Sequence, residues 1–343
     1  MSSQARVTNA LEPILAAIPP ASGAVVMGTG IVSIDLSLDH FETLSRILLV
    51  IDALIWIALG TLLAARVLHD RERVRREARS PAALTGVAGT AVLGTRLVVL
   101  GWDWAGIVLL VIAFAFWLVL LRPVLGHWIT PTVGVSLVLT VSTESLAVLS
   151  ASLAAGERAE WLLYAALVPF LLGLAFYVFV ISRFDLRELV VGRGDHWITG
   201  GALAISTLAA GRITLTAHSL HQLSAQAATL KTVSVVLWGL TIAWLPVLLA
   251  AEVLRPRPGY DVRRWSTVFP VGMYAACSFV VGAAVHAPGI TDFARVWVWA
   301  AVAVWLVVFV AMLRRGLALV RSEHPQVTDT RVDEVAPSGQ RGS

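Results

Sequence analysis

The sequence predicts an all-α integral membrane protein: ten transmembrane helices paired as five helical hairpins, the odd-numbered helices forming an inner pore ring and the even-numbered ones an outer ring. Three observations predict it. Of 343 residues, 57% are hydrophobic and only 14% charged, and the mean hydropathy is +0.80, far from the balance of a soluble domain. Ten stretches are apolar for roughly the 20 residues needed to cross a hydrocarbon core. Glycine and hydroxyl residues concentrate on alternate stretches, where close helix approach or a polar path would use them.

The spans are read at 19–37, 44–66, 81–100, 104–121, 131–153, 160–181, 196–218, 229–253, 264–286 and 292–313. Residues 1–17 form a cytoplasmic N-terminal segment, 18–316 the membrane transport domain, and 317–343, with Pro325 and Pro337, a disordered cytoplasmic tail. The first eighteen residues lack a basic region followed by a long apolar core, so the first span itself directs insertion.

Basic loops set the orientation. Arg66, Arg71, Arg73, Arg75, Arg76 and Arg79 follow the second span. Arg122 follows the fourth, Arg183, Arg187 and Arg193 the sixth, and Arg255, Arg257, Arg263 and Arg264 the eighth. The opposite loops carry only Arg46, Arg158, Lys231 and Arg295. Both termini are therefore expected in the cytoplasm, in the plasma membrane. The net charge of +4 resides in these loops, which argues against a nucleic-acid partner. Cys277 is the single cysteine, which excludes an internal disulfide and thiolate metal clusters. No metal site and no cofactor are expected.

The odd spans hold Gly23, Gly28, Gly30, Gly86, Gly89, Gly94, Gly134, Gly200, Gly201, Gly211, Gly272 and Gly282; the even spans hold chiefly Gly60, Gly106, Gly173 and Gly239. Ionisable residues within spans are costly in lipid and face a bundle interior or cavity. Arg96, Arg212, Glu144 and Asp35 lie on odd spans and Asp52 on an even one. The first four are expected to share a layer in the outer half, roughly 20–25 Å from the inner helix ends at 1.5 Å per residue. Two readings are open. The arginines attract anions into a vestibule, with Glu144 or Asp35 as a proton site, or Glu144 and an aspartate neutralise them in pairs that pin helices together.

His218 and His221 read as solvated loop residues, and Trp102, Trp104, Trp161, Trp197 and Trp265 as interface anchors. Gly28-Thr29-Gly30 lies within an apolar helix and lacks the remaining residues of a phosphate loop. HExxH and GxSxG are absent, and nothing argues for catalysis.

Pro-Ala-Ser-Gly-Ala-Val-Val-Met-Gly-Thr-Gly-Ile-Val-Ser at 20–33, Ser-Thr-Glu-Ser-Leu-Ala-Val-Leu at 142–149, Gly-Ala-Leu-Ala-Ile-Ser-Thr-Leu-Ala at 201–209 and Trp-Ser-Thr-Val-Phe-Pro-Val-Gly at 265–272 resemble the tellurite-resistance/dicarboxylate transporter family. That family includes plant slow-type anion channels, fungal malate permeases and sulfite efflux pumps. The resemblance runs from about Ile18 to Arg315 and implies an anion pore lined by five odd helices, in subunits that associate as trimers. It places a pore-plugging role on Phe269, beside Pro270. Relatives commonly carry Gln where this chain has Glu144, a departure that bears on passive conduction, because a carboxylate repels anions unless protonated or paired.

The expected function is a channel or secondary transporter for small anions, C4-dicarboxylates (malate, succinate) or sulfite first, with proton coupling through Glu144 or Asp35. A passive chloride or nitrate channel is the alternative, and a membrane enzyme or receptor with a purely structural polar layer the competing class. Substrate contacts are expected from Gly28, Thr29, Gly30, Arg96, Thr140 and Arg212, and the gate from Phe269 and Pro270.

Overall fold

The computed structural model describes residues 19–191, 194–256 and 259–322. The segment 1–17, Arg193, Arg257 and the tail beyond Ser322 lie outside them. Among the described residues, ten helices are long and apolar enough to span a membrane. They are α1 (Gly23–Leu38), α2 (Glu42–His69), α3 (Thr85–Val99), α4 (Asp103–Gly126), α5 (Val138–Gly156), α6 (Glu160–Ile181), α7 (Trp197–Ser219), α8 (Ala227–Leu254), α9 (Trp265–Val285) and α10 (Pro288–Ser322).

Burial separates them into two sets. Between 72% and 100% of each odd helix's most apolar window is buried, against 17% to 28% for the even helices. The odd helices pack α1 on α3, α3 on α5, α5 on α7, α7 on α9 and α9 on α1, a closed ring. Glycine permits close backbone approach here: a Cβ at Gly23 would lie 2.5 Å from the Thr85 backbone carbon. Each even helix packs on the odd helix before it.

A fivefold repeat invisible in the residues appears in the backbone. Every odd helix ends in a residue with positive φ, namely His40, Gly101, Arg158, His221 and His286. The next amide donates five residues back: Phe41 to Leu36, Trp102 to Leu97, Ala159 to Ala154, Gln222 to Ala217 and Ala287 to Gly282. This is the Schellman closure, which satisfies carbonyls that a helix end leaves orphaned. It turns each odd helix into its partner within a few residues.

The outer helices are tied to the next hairpin by aromatic donors. Trp56 Nε1 donates to Thr90 Oγ1 (2.9 Å), Trp117 to Thr143 (2.9 Å), Trp238 to Ser278 Oγ (2.9 Å) and Trp305 to Thr29 (3.1 Å). On α6 the role passes to Tyr177, whose hydroxyl donates to the Thr199 carbonyl at 3.3 Å. An indole N–H in hydrocarbon must find an acceptor, so each even helix is pinned to an inner hydroxyl or carbonyl.

Several expectations shift. α5 starts at Val138 after a 3-10 turn from Gly134, because Thr132 is held by backbone hydrogen bonds to Arg183 and Asp185. α10 continues to Ser322, past the boundary at 316. Trp102, Trp104 and Trp161 are exposed as interface anchors should be. Trp197 and Trp265 are buried, Trp197 donating to Glu252 and Trp265 packing on Gly28, so they are not anchors.

Candidate functional site

A cavity of about 30 Å³ lies inside the ring, with walls from all five odd helices. That is room for about one water molecule. Its walls are built by one spacing, i, i+3, i+7: Val92, Thr95 and Val99 on α3, Ser145, Val148 and Ser152 on α5, and Ile205, Leu208 and Arg212 on α7. Such positions share a helix face. Ile34 and Leu38 of α1, with Met273 and Val280 of α9, complete it.

Arg212 is the one ionisable residue in these walls. Its Nε donates to Ser152 Oγ at 3.0 Å, and no acidic side chain pairs with it among the described residues. The wall hydroxyls are turned toward their own helices: Ser152 donates to Val148 O (2.8 Å), Ser145 to Ser142 O (2.8 Å) and Thr95 to Ala91 O (2.9 Å). They therefore present oxygen lone pairs to the cavity. The donors available to a ligand are the remaining guanidinium N–H groups of Arg212, so the cavity suits an anion.

Arg96 is placed differently. It is fully buried, with Nε donating to Ser45 (3.0 Å) and Ser33 (3.3 Å) and Nη2 paired with Glu42 at 2.9 Å. This arrangement locks α3 to α1 and α2 and does not line the cavity. The pairing of arginines with Glu144 is not formed, since the acid that meets Arg96 is Glu42.

Glu144 is also not in a layer with Arg212. Arg212 contacts Ser152, eight residues beyond Glu144 on α5 and so about 12 Å along that helix. The Glu144 carboxyl is lodged against α6, where a Cβ on Gly173 would lie 2.6 Å from Oε1. Asp52 and Asp35 repeat the device. A Cβ at Gly30 would lie 2.8 Å from Asp52 Oδ2, and one at Gly272 3.2 Å from Asp35 Oδ2. All three carboxyls are fully buried and outside the cavity wall.

The other expected substrate contacts are likewise taken up by packing. Gly28 gives room to Trp265, Thr29 accepts from Trp305, and Gly30 gives room to Asp52. Thr140 is buried one turn before Glu144 on the same face of α5. Phe269 is 3% exposed and stands four residues before Met273, hence on the cavity stripe of α9 one turn toward the helix start. Pro270 packs on α7, where a Cβ at Gly201 would lie 2.7 Å from its Cγ. The sequence reading missed Thr95, Ser145, Ser152 and Met273; the repeated i, i+3, i+7 spacing is the signal that finds the first three. Among the described residues, no group of three or more His, Cys, Asp or Glu side chains could hold a metal ion.

Comparison with known proteins adds an independent finding. A family model described as SLAC1, voltage-dependent anion channel, matches residues 17–313. Two curated membrane proteins of Mycobacterium tuberculosis, one from strain CDC 1551 / Oshkosh and one from strain H37Rv, are each 33% identical over 143 residues. That alignment covers 38% of this chain and 70% of each relative. Both relatives are described only as uncharacterized membrane proteins.

Proposed function

Because the chain belongs to the voltage-dependent anion channel family, a family of membrane anion transporters and channels, we propose that it conducts small singly charged anions through the axis of the odd-helix ring. The observation that carries this reading is the cavity lined by all five odd helices, with the guanidinium of Arg212 as its one charge. A C4-dicarboxylate would need a second cation, and Arg96, the other intramembrane arginine of the odd helices, is already neutralised by Glu42. Sulfite and malate, expected from the resemblance, therefore stand behind chloride and nitrate.

Conduction is proposed to be passive. Glu144 and Asp35, the residues considered for proton coupling, sit against Gly173 and Gly272 outside the wall. Closure is assigned to Phe269 with Met273, stacked along one stripe of α9. An apolar constriction blocks ions by excluding water, and Pro270 removes the amide that would bond the Ser266 carbonyl, loosening the helix beside the ring.

The test is a flux panel on purified protein in liposomes, with chloride, nitrate, sulfite, malate and succinate, with and without a pH gradient. Chloride and nitrate flux indifferent to the gradient supports the reading. Uptake confined to malate and succinate and driven by the gradient replaces it with coupled carriage, and no flux of any anion sinks it. In the same assay Phe269→Ala raises leak, while Phe279→Ala, off the stripe, does not; equal leak from both removes the gate. The orientation proposed from loop charge, with the Arg66–Arg79 side cytoplasmic, is checked by cysteine labelling at Arg75 from inside and Ser224 from outside. Both positions are exposed.

A further inference from the structure

A second void lies off the axis. A groove of about 880 Å³ opens sideways between α2 and α4, floored by the starts of α1 and α3. It closes at Trp56, whose Nε1 donates to Thr90 Oγ1 at 2.9 Å, and opens at Arg66 and Glu77, which pair at 3.3 Å. Apart from these four residues and Ser22, the side chains lining it are apolar. Gly60 on α2 and Gly86 on α3 both line it, and a Cβ at either would meet nothing within 4 Å. Water between such walls lacks polar partners, so the space suits apolar chains.

Depth and charge together point to the occupant. Trp56 stands at the middle of α2, and the eleven residues from there to Val67 at the mouth rise about 16 Å, close to the roughly 15 Å of one hydrocarbon leaflet. A spanning helix of a second copy would cross both leaflets, whereas the acyl chains of one lipid cross one. At the mouth, residues 66–79 hold Arg66, Arg71, Arg73, Arg75, Arg76 and Arg79 against Asp70, Glu72 and Glu77. Glu77 is taken by Arg66 and Arg73, and Glu72 by Arg75. Arg76 and Arg79 flank Glu77 and Ala78 of the lining, are exposed, and meet no acid among the described residues. We infer that the groove binds one anionic phospholipid from the leaflet at this end, its acyl chains between α2 and α4 and its phosphate against Arg76 and Arg79. Basic residues at the edge of an inter-helix pocket recognise such headgroups.

The experiment places the full chain in phosphatidylcholine vesicles with a trace of phosphatidylglycerol or phosphatidylcholine bearing an acyl-chain diazirine, and maps the photolabelled peptides. Phosphatidylglycerol should label the groove segments of α2 and α4 about tenfold more than phosphatidylcholine does, while both label exposed Leu240 of α8 equally. Arg76→Gln with Arg79→Gln, both at exposed sites, should bring the groove ratio to about one with detergent unfolding unchanged. Gly60→Trp, set in open space, should fill the groove and lower its labelling by both lipids. Equal labelling of the unaltered groove by the two lipids would make it ordinary lipid-facing surface. A preference that survives the double arginine change would take the headgroup off this rim, and labelling indifferent to Gly60→Trp would put the lipid outside the groove. Each of these overturns the inference, as does an unlabelled groove, covered by a second copy or by residues before Pro19.

Discussion

Two arginines on the inner helices, Arg96 and Arg212, lie in neighbourhoods that differ in one respect: what the adjacent outer helix supplies. Around Arg96, α2 brings Glu42 and Ser45 and α1 brings Ser33, so the guanidinium is bonded on three sides and completely buried. Around Arg212, the one hydrogen-bond partner among the described residues is Ser152, and the side chain lines the axial cavity. A buried charge that is paired holds helices together; one left unpaired beside a cavity is available to a ligand. Residue type is shared by the two, and the partner supply separates scaffold from site.

The largest effect should come from breaking the closed corner. Glu42→Gln leaves Arg96 charged, fully buried and without its counter-ion, which costs about 3 kcal/mol or more. Arg96→Gln should cost less, because Glu42 keeps 38% of its side-chain surface exposed and can turn to water. Detergent unfolding of the two variants checks the order. If Arg96→Gln is the more damaging, or if either change alters anion selectivity in the folded fraction, the corner is not merely structural.

Next is the open side. Arg212→Gln removes the charge that draws an anion to the axis, while the loss to packing is one hydrogen bond to Ser152. Chloride flux per folded molecule should fall roughly tenfold or more, the worth of a charge-assisted contact, with little change in unfolding. Collapse of the fold with unchanged flux in the surviving protein would make Arg212 a second scaffold arginine and erase the contrast.

How much of this was legible depended on what each signal measures. Hydropathy gives the ten spans, and the glycine bias of the odd spans gives the inner ring, because both report the side of the lipid boundary a helix occupies. Rotation about the helix axis is what they miss. Gly30 is recognisably a place for close approach, but that the approaching group is Asp52 depends on how α2 is turned. Trp197 and Trp265 lie at span ends as anchors do, yet face inward. The helix closures are hidden for another reason: four of the five left-handed positions are His40, Arg158, His221 and His286, not glycine, so no turn signature marks them. Glu42 is hidden because hydropathy starts the second span at 44, which leaves the partner of Arg96 in a loop. Arg212 was found because charge inside an odd span needs no rotation to stand out.

The smallest effect sharpens the comparison most. Ser152 and Ser145 line the same face of α5, and both hydroxyl hydrogens are given to backbone carbonyls. They differ in that Ser152 also accepts from Arg212 Nε. If the wall hydroxyls bound the anion directly, replacing either by alanine would reduce flux. If instead the anion is held by Arg212 and Ser152 only aims the guanidinium, Ser152→Ala should lower chloride flux about fivefold, the value of one hydrogen bond of roughly 1 kcal/mol. Ser145→Ala should leave it unchanged. The pairing is tested by combining changes: with Gln at 212, Ser152→Ala should have no further effect, since there is no guanidinium left to aim. Equal losses from the two serines, or a Ser152→Ala effect that persists without Arg212, would move the binding role from the arginine to the hydroxyl wall.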